Sequence, residues 1–141
     1  MPKIAVVYWS GTGNTEAMAA AVAQGVQEKG GEAALLPAGS FSPEQMDAYD
    51  AIAFGCPSMG AEQLEESEFE PMFTACEGKL QGKKTGLFGS YGWGDGEWMR
   101  NWEDTCRGNG AILAQEGVIC QGAPDDGALA ACKALGASLT C

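Results

Sequence analysis

Apolar segments with the composition of buried strands alternate with helix-like segments along the whole chain. The first, KIAVVYW, is almost wholly apolar, as expected of a strand that is covered on both faces. The predicted strands occupy residues 3–9, 32–37, 50–56, 83–90 and 111–121, the last with a short interruption. The predicted helices occupy residues 15–29, 42–49, 66–77, 97–110 and 124–139. This alternation predicts one α/β domain over residues 1–141, a five-stranded doubly wound parallel sheet with helices on both faces.

Three glycine-rich loops follow the first, third and fourth predicted strands, at residues 10–15, 55–62 and 90–96. In a parallel sheet the carboxyl ends of the strands share one edge, and ligands bind there near a switch point. We therefore expect the three loops to lie together and to form a binding site.

The first loop, SGTGNT, has the features of an anion site. Successive backbone amides of such a loop can point inward, and the following helix adds its positive N-terminal end. Its glycines allow close approach, and four of its side chains can donate further hydrogen bonds, namely Ser10, Thr12, Asn14 and Thr15. The loop lacks the lysine of a triphosphate-binding loop, and Glu16 stands where a dinucleotide fold has its third glycine. A terminal phosphate monoester fits better, and a plain strand–helix turn is the alternative.

The other two loops contribute groups that can hold a planar ring. Trp93 lies between two glycines in a loop, where its indole is available for stacking. Met59 is an adaptable side chain that can lie against an aromatic face. The alternatives are a small satellite core for Trp93 and gap filling for Met59. With the phosphate loop, these residues predict a planar heterocycle with a phosphate tail.

Charge and residue usage exclude several classes of protein. The 141 residues are 45% hydrophobic and carry a net charge of −11, which disfavours binding to nucleic acid or to an anionic membrane. Such a surface suits a basic protein partner, although it could also serve only solubility. The N-terminal segment lacks the pattern of a signal peptide, which indicates a cytoplasmic protein. There is no histidine, and the six cysteines form no C-x-x-C pair, so we expect buried thiols rather than a zinc, iron–sulfur or Cys/His catalytic site.

The motifs YWSGTGNTE, PSMGAE with LEESEFEP, and GLFGSYGWGDGEWMR strongly resemble the short-chain flavodoxins of the clostridial type. The resemblance extends over essentially the whole chain, and it implies a flavodoxin-like strand order of 2-1-3-4-5. It also implies noncovalently bound flavin mononucleotide (FMN), a monomeric state and exchange of electrons with redox proteins. The residues that it assigns to the cofactor site are Ser10, Gly11, Thr12, Gly13, Asn14, Thr15, Ser58, Met59, Gly60, Ala61, Glu62, Ser90, Tyr91, Gly92, Trp93 and Gly94.

The resemblance also implies a role for each part of this site. The 10–15 loop would wrap the phosphate, Trp93 would cover the outer face of the isoalloxazine ring, and Met59 would cover the inner face. Glu62 would accept a hydrogen bond from the flavin N3–H, and the backbone of residues 90–94 would reach the pyrimidine oxygens. The Gly60–Ala61 peptide would rotate on reduction and present the carbonyl of residue 60 to N5–H. Relatives often have a polar residue or glycine at position 61, and a positive φ at alanine would cost roughly 1 kcal/mol.

The expected function is low-potential, one-electron transport, mainly between the semiquinone and hydroquinone states of FMN. Carboxylates beside the site would oppose the second electron, and the candidates are Glu62, Glu65, Glu66, Glu68 and Glu70. A solvated helix face or a docking surface for a basic partner explains the same acidic run. Two other hypotheses are an FMN-dependent reductase, for which 141 residues leave little room, and an interaction module without flavin.

Overall fold

The computed structural model describes residues 2–11, 13–59, 64–92, 94 and 96–140. Its strands are β1 (Lys3–Tyr8), β2 (Glu32–Pro37), β3 (Ala51–Gly55), β4 (Lys84–Tyr91), β5 (Ile112–Leu113) and β6 (Val118–Gln121). Its α-helices are α1 (Asn14–Glu28), α2 (Phe69–Cys76), α3 (Glu97–Gly108) and α4 (Asp126–Leu139). Short 3₁₀ helices occupy Ala38–Ser40, Pro43–Ala48 and Glu77–Lys79. In these ranges no helix is long and apolar enough to cross a membrane.

All the strand pairs are parallel, and the sheet order is β2-β1-β3-β4-β5, as expected. The interrupted fifth strand is also confirmed. β5 pairs with the start of β4, where Thr85 is opposite Leu113, and β6 pairs with its end, where Tyr91 is opposite Gln121. The interruption therefore leaves both pieces on the same side of β4, and it brings the end of β6 to the carboxyl edge of the sheet.

The helices cover both faces of the sheet, as predicted. On one face, Met18 and Val22 of α1 and Leu135 of α4 pack with Ile4 and Val6 of β1, and all five side chains are fully buried. Because β1 is covered on both sides, its run of apolar residues has no polar face.

The other face is an aromatic cluster beneath α2 and α3. The ring of Phe54 in β3 meets Phe73 edge-on at 5.1 Å, and Phe69 meets Trp102 edge-on at 5.5 Å. Such edge-to-face pairs add to the stabilisation that burial of the rings provides. The cluster fixes α2 and α3 against β3.

Two of the predicted helices, 66–77 and 42–49, differ from the structure in their start or in their type. Residues 66–68 form a turn, and α2 begins only at Phe69. The reason is that the Glu65 carboxylate accepts hydrogen bonds from the backbone amides of residues 67–69, the last of which is the first residue of the helix. The segment predicted as a short helix at 42–49 is the 3₁₀ helix Pro43–Ala48. The Ser42 hydroxyl donates to the Gln45 side chain at 3.1 Å and does not cap the backbone.

The five cysteines that the structure describes behave largely as small hydrophobic residues, and Cys141 lies outside the described residues. Cys56, Cys76, Cys106 and Cys132 are buried, and Cys120 is half-buried. Burial raises the pKa of Cys56, Cys106 and Cys132 to about 12, so these thiols stay protonated at neutral pH.

Candidate functional site

The carboxyl ends of β1, β3, β4 and β6 surround a cavity of about 270 Å³, here called the carboxyl-end cavity. Its lining is made of Trp9, Gly11, Asn14, Pro57, Ser58, Met59, Ser90, Tyr91, Gly92 and Gly122. Two aromatic rings, a methionine and a proline give it apolar walls, and the serine and asparagine residues add hydrogen-bonding groups. Ligand sites commonly combine apolar walls with a few placed polar groups.

Backbone hydrogen bonds hold the loops of the cavity together. The Trp9 amide donates to the Gly55 carbonyl at 3.0 Å, which links the ends of β1 and β3. The Ser58 amide donates to the Ser90 carbonyl at 2.9 Å and links the second loop to β4. The Gly122 amide donates to the Tyr91 carbonyl at 2.9 Å and adds the end of β6. The cavity is thus built on the sheet rather than on independent loops, which is what positions a rigid ligand.

The first loop ends in a helix start that has no side-chain cap within the described residues. Gly13 is the N-cap of α1, and its φ of 93° explains why glycine stands there. The hydroxyl of Ser10 accepts the Gly13 amide at 3.0 Å and keeps its own proton to donate. The first amides of α1 have no partner inside the helix, so they present N–H groups and positive potential to the space above them.

Thr15, in the first turn of α1, carries a buried hydroxyl without a partner. The residue is 1% exposed, and its Oγ1 makes no hydrogen bond to the described atoms. A buried hydroxyl without a partner costs free energy, and folded proteins rarely leave one unsatisfied. The Thr15 hydroxyl and the uncapped amides of α1 are all hydrogen-bond donors without an acceptor among the described residues. A phosphate supplies several acceptor oxygens and would satisfy them. The residues that are described here therefore fit a bound phosphate ester.

Close contacts show why the cavity needs its glycines and aromatic residues. A Cβ atom at Gly11 would lie 3.0 Å from the Trp9 ring, so glycine lets the first loop pass the indole. Tyr91 is held in turn by the buried Trp98, with ring centroids 5.5 Å apart. The Trp98 indole N–H donates to the Cys56 carbonyl at 3.3 Å, which ties α3 to the end of β3.

Among the described carboxylates of the acidic run, Glu65 is buried and hydrogen-bonded. Glu65 is 6% exposed, and its oxygens accept the Ser67 amide at 2.8 Å, the Glu68 amide at 2.8 Å and the Phe69 amide at 3.0 Å, and also the Ser67 hydroxyl. Burial raises the pKa of this carboxyl, but these hydrogen bonds outweigh burial and lower the pKa to about 2. Glu66, Glu68 and Glu70 are exposed. The interpretation of the whole run as one solvated helix face is therefore wrong for Glu65.

The structure brings together most of the predicted site residues that it describes. Seven line the carboxyl-end cavity, namely Gly11, Asn14, Ser58, Met59, Ser90, Tyr91 and Gly92. Ser10 and Gly13 line an adjoining cleft, and Thr15 lies beneath it in α1. Gly94 is exposed in the loop after β4, with a φ of 91°. Thr12, Gly60, Ala61, Glu62 and Trp93 lie outside the described residues, so their predicted contacts stay predictions.

Three residues of the cavity were missed by sequence reasoning. Trp9 directly follows β1, Pro57 lies two residues after the end of β3, and Gly122 directly follows β6. The signal for Gly122 was present, because the glycine and proline of QGAP mark a fourth loop at the same edge of a parallel sheet. Trp9 belonged to the predicted first strand, and nothing in its spacing distinguishes a strand residue from a cavity wall.

Comparison with known proteins points to one family. A family model described as Flavodoxin matches residues 6–135. The flavodoxin of Clostridium beijerinckii is 45% identical over 121 residues, which cover 86% of this chain and 88% of that protein. The flavodoxin of Megasphaera elsdenii is 43% identical over 133 residues, which cover 94% of this chain and 95% of that protein. The solution structure of two-electron reduced Megasphaera elsdenii flavodoxin matches with a TM-score of 0.89, at 43% identity over 96% of this chain and 97% of that one.

Proposed function

The chain belongs to the flavodoxin family, and we propose that it binds FMN in the carboxyl-end cavity and works as a low-potential one-electron carrier. Flavodoxins are FMN-binding electron-transfer proteins rather than enzymes. The observation that carries the proposal for this chain is the orphaned hydroxyl of Thr15, buried at the uncapped start of α1 beside an aromatic-walled cavity.

The phosphate end of the ligand is assigned to residues 10–15. The uncapped amides of α1 supply donors that face the anion, and the hydroxyls of Ser10 and Thr15 supply two more. The loop contains no lysine or arginine, so dipoles and hydrogen bonds alone neutralise the phosphate charge. Asn14 lines the cavity as well and reaches the same end of the ligand. Thr12, outside the described residues, completes the proposed loop.

The ring end is assigned to the walls formed by residues 57–59 and 90–92. Met59 would cover the inner face, and the backbone of residues 90–94 would face the pyrimidine oxygens. Trp93 as the outer cover, Glu62 as the N3–H acceptor and the Gly60–Ala61 peptide as the N5–H partner are proposed from the family resemblance alone.

The bound flavin supplies reversible one-electron chemistry, and we propose that it cycles mainly between semiquinone and hydroquinone. The protein contributes an environment that resists added negative charge. Glu66, Glu68 and Glu70 are exposed carboxylates, and the chain as a whole has a net charge of −11. One such charge at ~10 Å in a water-like dielectric opposes another by about 0.4 kcal/mol. The apolar walls of the cavity add to this effect, because they exclude the water that would solvate an anionic ring.

The same acidic surface supports a proposal for the partners. Redox proteins with basic docking surfaces would be attracted by the field of the chain, which would speed their encounter at low salt. We propose that the protein acts as a monomer in the cytoplasm. A rise in ionic strength should slow electron transfer to a basic partner, and stopped-flow rates measured against salt concentration would test this.

The binding proposal is tested by comparing FMN with riboflavin, which carries the same ring without the phosphate. Apoprotein should bind FMN at least tenfold more tightly than riboflavin, measured by quenching of flavin fluorescence. Equal affinities would contradict the assignment of residues 10–15 to the phosphate, and no binding of either flavin would overturn the proposed function.

The redox proposal is tested by anaerobic reductive titration of the reconstituted protein. Accumulation of the blue neutral radical supports a one-electron carrier, whereas direct reduction by a nicotinamide cofactor with turnover of an acceptor would indicate a reductase.

Substitution Trp93→Ala should weaken FMN binding and raise the potential of the second electron. Unchanged binding and potential would remove the case for stacking by Trp93.

A further inference from the structure

We propose that Cys56 and Glu65 are positioning residues, which hold the two ends of the 57–64 segment at a fixed separation and thereby tune the redox potential of the bound flavin. This inference rests on the proposed FMN site. Residues 57–59 line the carboxyl-end cavity, and residues 60–62 carry the proposed contacts to the ring. The structure describes both ends of the segment, and each end is tied to the sheet or to a helix.

Cys56 forms the first end, and all of its polar groups are engaged. Its amide donates to the Phe88 carbonyl of β4 at 3.1 Å, and its carbonyl accepts the Trp98 indole N–H of α3 at 3.3 Å. Its thiol donates to the Pro57 carbonyl at 3.5 Å and accepts the Glu65 amide at 3.3 Å. The last of these bonds spans nine residues and joins the two ends of the segment directly. The thiol is fully buried, so no water competes for these bonds.

Glu65 forms the second end, and it is fixed to α2. Its carboxylate accepts amides of the turn and of the first residue of α2, and its carbonyl accepts the Glu70 amide at 2.8 Å. α2 is immobilised in turn, because Phe69 and Phe73 pack in the aromatic cluster beneath the helix. The packing of α2 against the core therefore fixes the position of residue 65. The hydrogen bond from the Glu65 amide to the Cys56 sulfur holds that position relative to the end of β3.

The hydrogen bond between Glu65 and Cys56 should affect the redox potential of the bound flavin as well as the affinity for FMN. If the segment contacts the ring differently in its oxidised and reduced forms, the ease of that change depends on how firmly the ends are held. The relation between redox state and affinity is a thermodynamic cycle, so any change in relative affinity for oxidised and reduced FMN is a change in potential. The thiol remains protonated, since burial raises its pKa to about 12, and both of its hydrogen bonds persist at neutral pH.

The test compares Cys56→Ala with Cys132→Ala. Both cysteines are fully buried, but Cys132 lies in α4, away from the cavity lining. Both variants lose one buried sulfur, but only Cys56→Ala also leaves the Glu65 amide without its acceptor, so Cys56→Ala should lose more stability. For Cys56→Ala we expect at least a fivefold change in the ratio of affinities for oxidised and reduced FMN, which is about 40 mV for a one-electron couple. For Cys132→Ala we expect less than a twofold change.

A second pair separates position from charge. Glu65→Gln and Glu70→Gln each remove one carboxylate, and Glu70 is exposed in α2, the helix that follows Glu65. If Glu65 acts by position, its substitution changes the affinity ratio at least fivefold, whereas Glu70→Gln changes it less than twofold. Equal effects of the two substitutions would overturn the role of Glu65.

Two further measurements keep the result interpretable. Amide hydrogen exchange at Glu65 in the apoprotein should be faster in Cys56→Ala than in the wild type. Cys56→Ser retains a hydrogen-bond acceptor, so in this variant the exchange rate and the redox potential should both return toward the wild-type values. Faster exchange without a change in potential would overturn the proposal. If the wild-type protein binds no FMN, both this proposal and the proposed function are overturned. If the wild type binds FMN but Cys56→Ala and Cys132→Ala have the same ratio of affinities for oxidised and reduced FMN, only the positioning role is overturned.

Discussion

Gly25 of α1 lies directly against the backbone of Lys133 in α4, so that a Cβ atom at Gly25 would stand 2.0 Å from the Lys133 carbonyl oxygen. The relationship is reciprocal, because a Cβ atom at Gly136 of α4 would stand 2.0 Å from the carbonyl oxygen of Val22 in α1. Two glycines, one on each helix, therefore permit the close packing of α1 and α4. Since α1 begins at the proposed phosphate loop, this crossing also helps to position the site.

We expect Gly25→Ala and Gly136→Ala each to destabilise the apoprotein. Alanine favours a helix over glycine by about 1 kcal/mol, but overpacking of a close contact costs typically 1–3 kcal/mol. A backbone atom at 2.0 Å calls for the upper end of that cost, so we expect a net loss of up to about 2 kcal/mol. Urea unfolding followed by tryptophan fluorescence measures this difference.

Gly127→Ala in α4 and Gly108→Ala in α3 are matched controls. A Cβ atom at Gly127 would meet nothing closer than 3.5 Å, and one at Gly108 would meet nothing within 4 Å. These variants should be as stable as the wild type or more stable, because only the helix preference changes. If Gly25→Ala were as stable as the controls, close packing at the crossing would not be what requires glycine.

The sequence was sufficient to predict the framework of the fold and the location of the site. Alternating apolar and helical segments predicted the parallel sheet, and three glycine-rich loops predicted which edge carries the site. These features follow from periodicity and from the geometry of parallel sheets, which depend little on individual side chains. Even the interruption of the last strand was visible as AILAQ and GVICQ.

Features that depend on single long-range contacts could not be predicted. The run LEESEFE reads as a solvated helix face, but Glu65 turns inward because three amides and the Cys56 sulfur are placed around it by the fold. Likewise, Trp9 has the pattern of a strand residue, but it lies in the cavity wall with its ring close to Gly11. Neither contact has a sequence spacing that would reveal it.

Substitution of Thr15 should separate stability from phosphate binding. Thr15→Val keeps the shape and removes a hydroxyl that has no partner, so the apoprotein should be at least as stable as the wild type. FMN binding should weaken roughly tenfold or more, since a hydrogen bond to a charged group contributes about 1.5–3 kcal/mol. Riboflavin binding should not change. Thr15→Ser is the control that retains the hydroxyl, and an equal loss of affinity for FMN and riboflavin in Thr15→Val would show that Thr15 does not contact the phosphate.

The two tryptophans of α3 form a natural pair for testing a buried hydrogen bond. Trp98 and Trp102 are both nearly fully buried, but only the Trp98 indole N–H has a partner within the described residues, the Cys56 carbonyl. Trp102→Phe removes an unsatisfied donor from the aromatic cluster and should cost less stability than Trp98→Phe by about 1–2 kcal/mol. Both variants lose similar ring area, so each controls for the other in urea unfolding. A larger loss for Trp102→Phe would indicate that its N–H is satisfied in solution.

The hydrogen bonds of Glu65 predict that the protein loses stability in acid over a defined range. The pKa of this carboxyl is lowered from 4.5 to about 2 on folding, because hydrogen bonds from the Ser67 hydroxyl and from the amides of residues 67–69 outweigh burial. A group with a lowered pKa in the folded protein stabilises it fully above its unfolded pKa. This contribution, up to about 3 kcal/mol for such a shift, is lost as the pH falls from 4.5 to 2. The free energy of unfolding of Glu65→Gln should therefore lie below that of the wild type at pH 7 and approach it at pH 2.

The mechanism can be checked at the carboxyl itself. Carbon-13 NMR of the Glu65 side chain should give a titration midpoint well below the ordinary value, and Ser67→Ala, which removes one donor and leaves the three amides, should move that midpoint upward. The acid-induced loss of stability should then begin at a higher pH in Ser67→Ala than in the wild type. A Glu65 carboxyl that titrates near 4.5 in the folded wild type would show that these amides do not hold it ionised, and the start of α2 at Phe69 would need another cause.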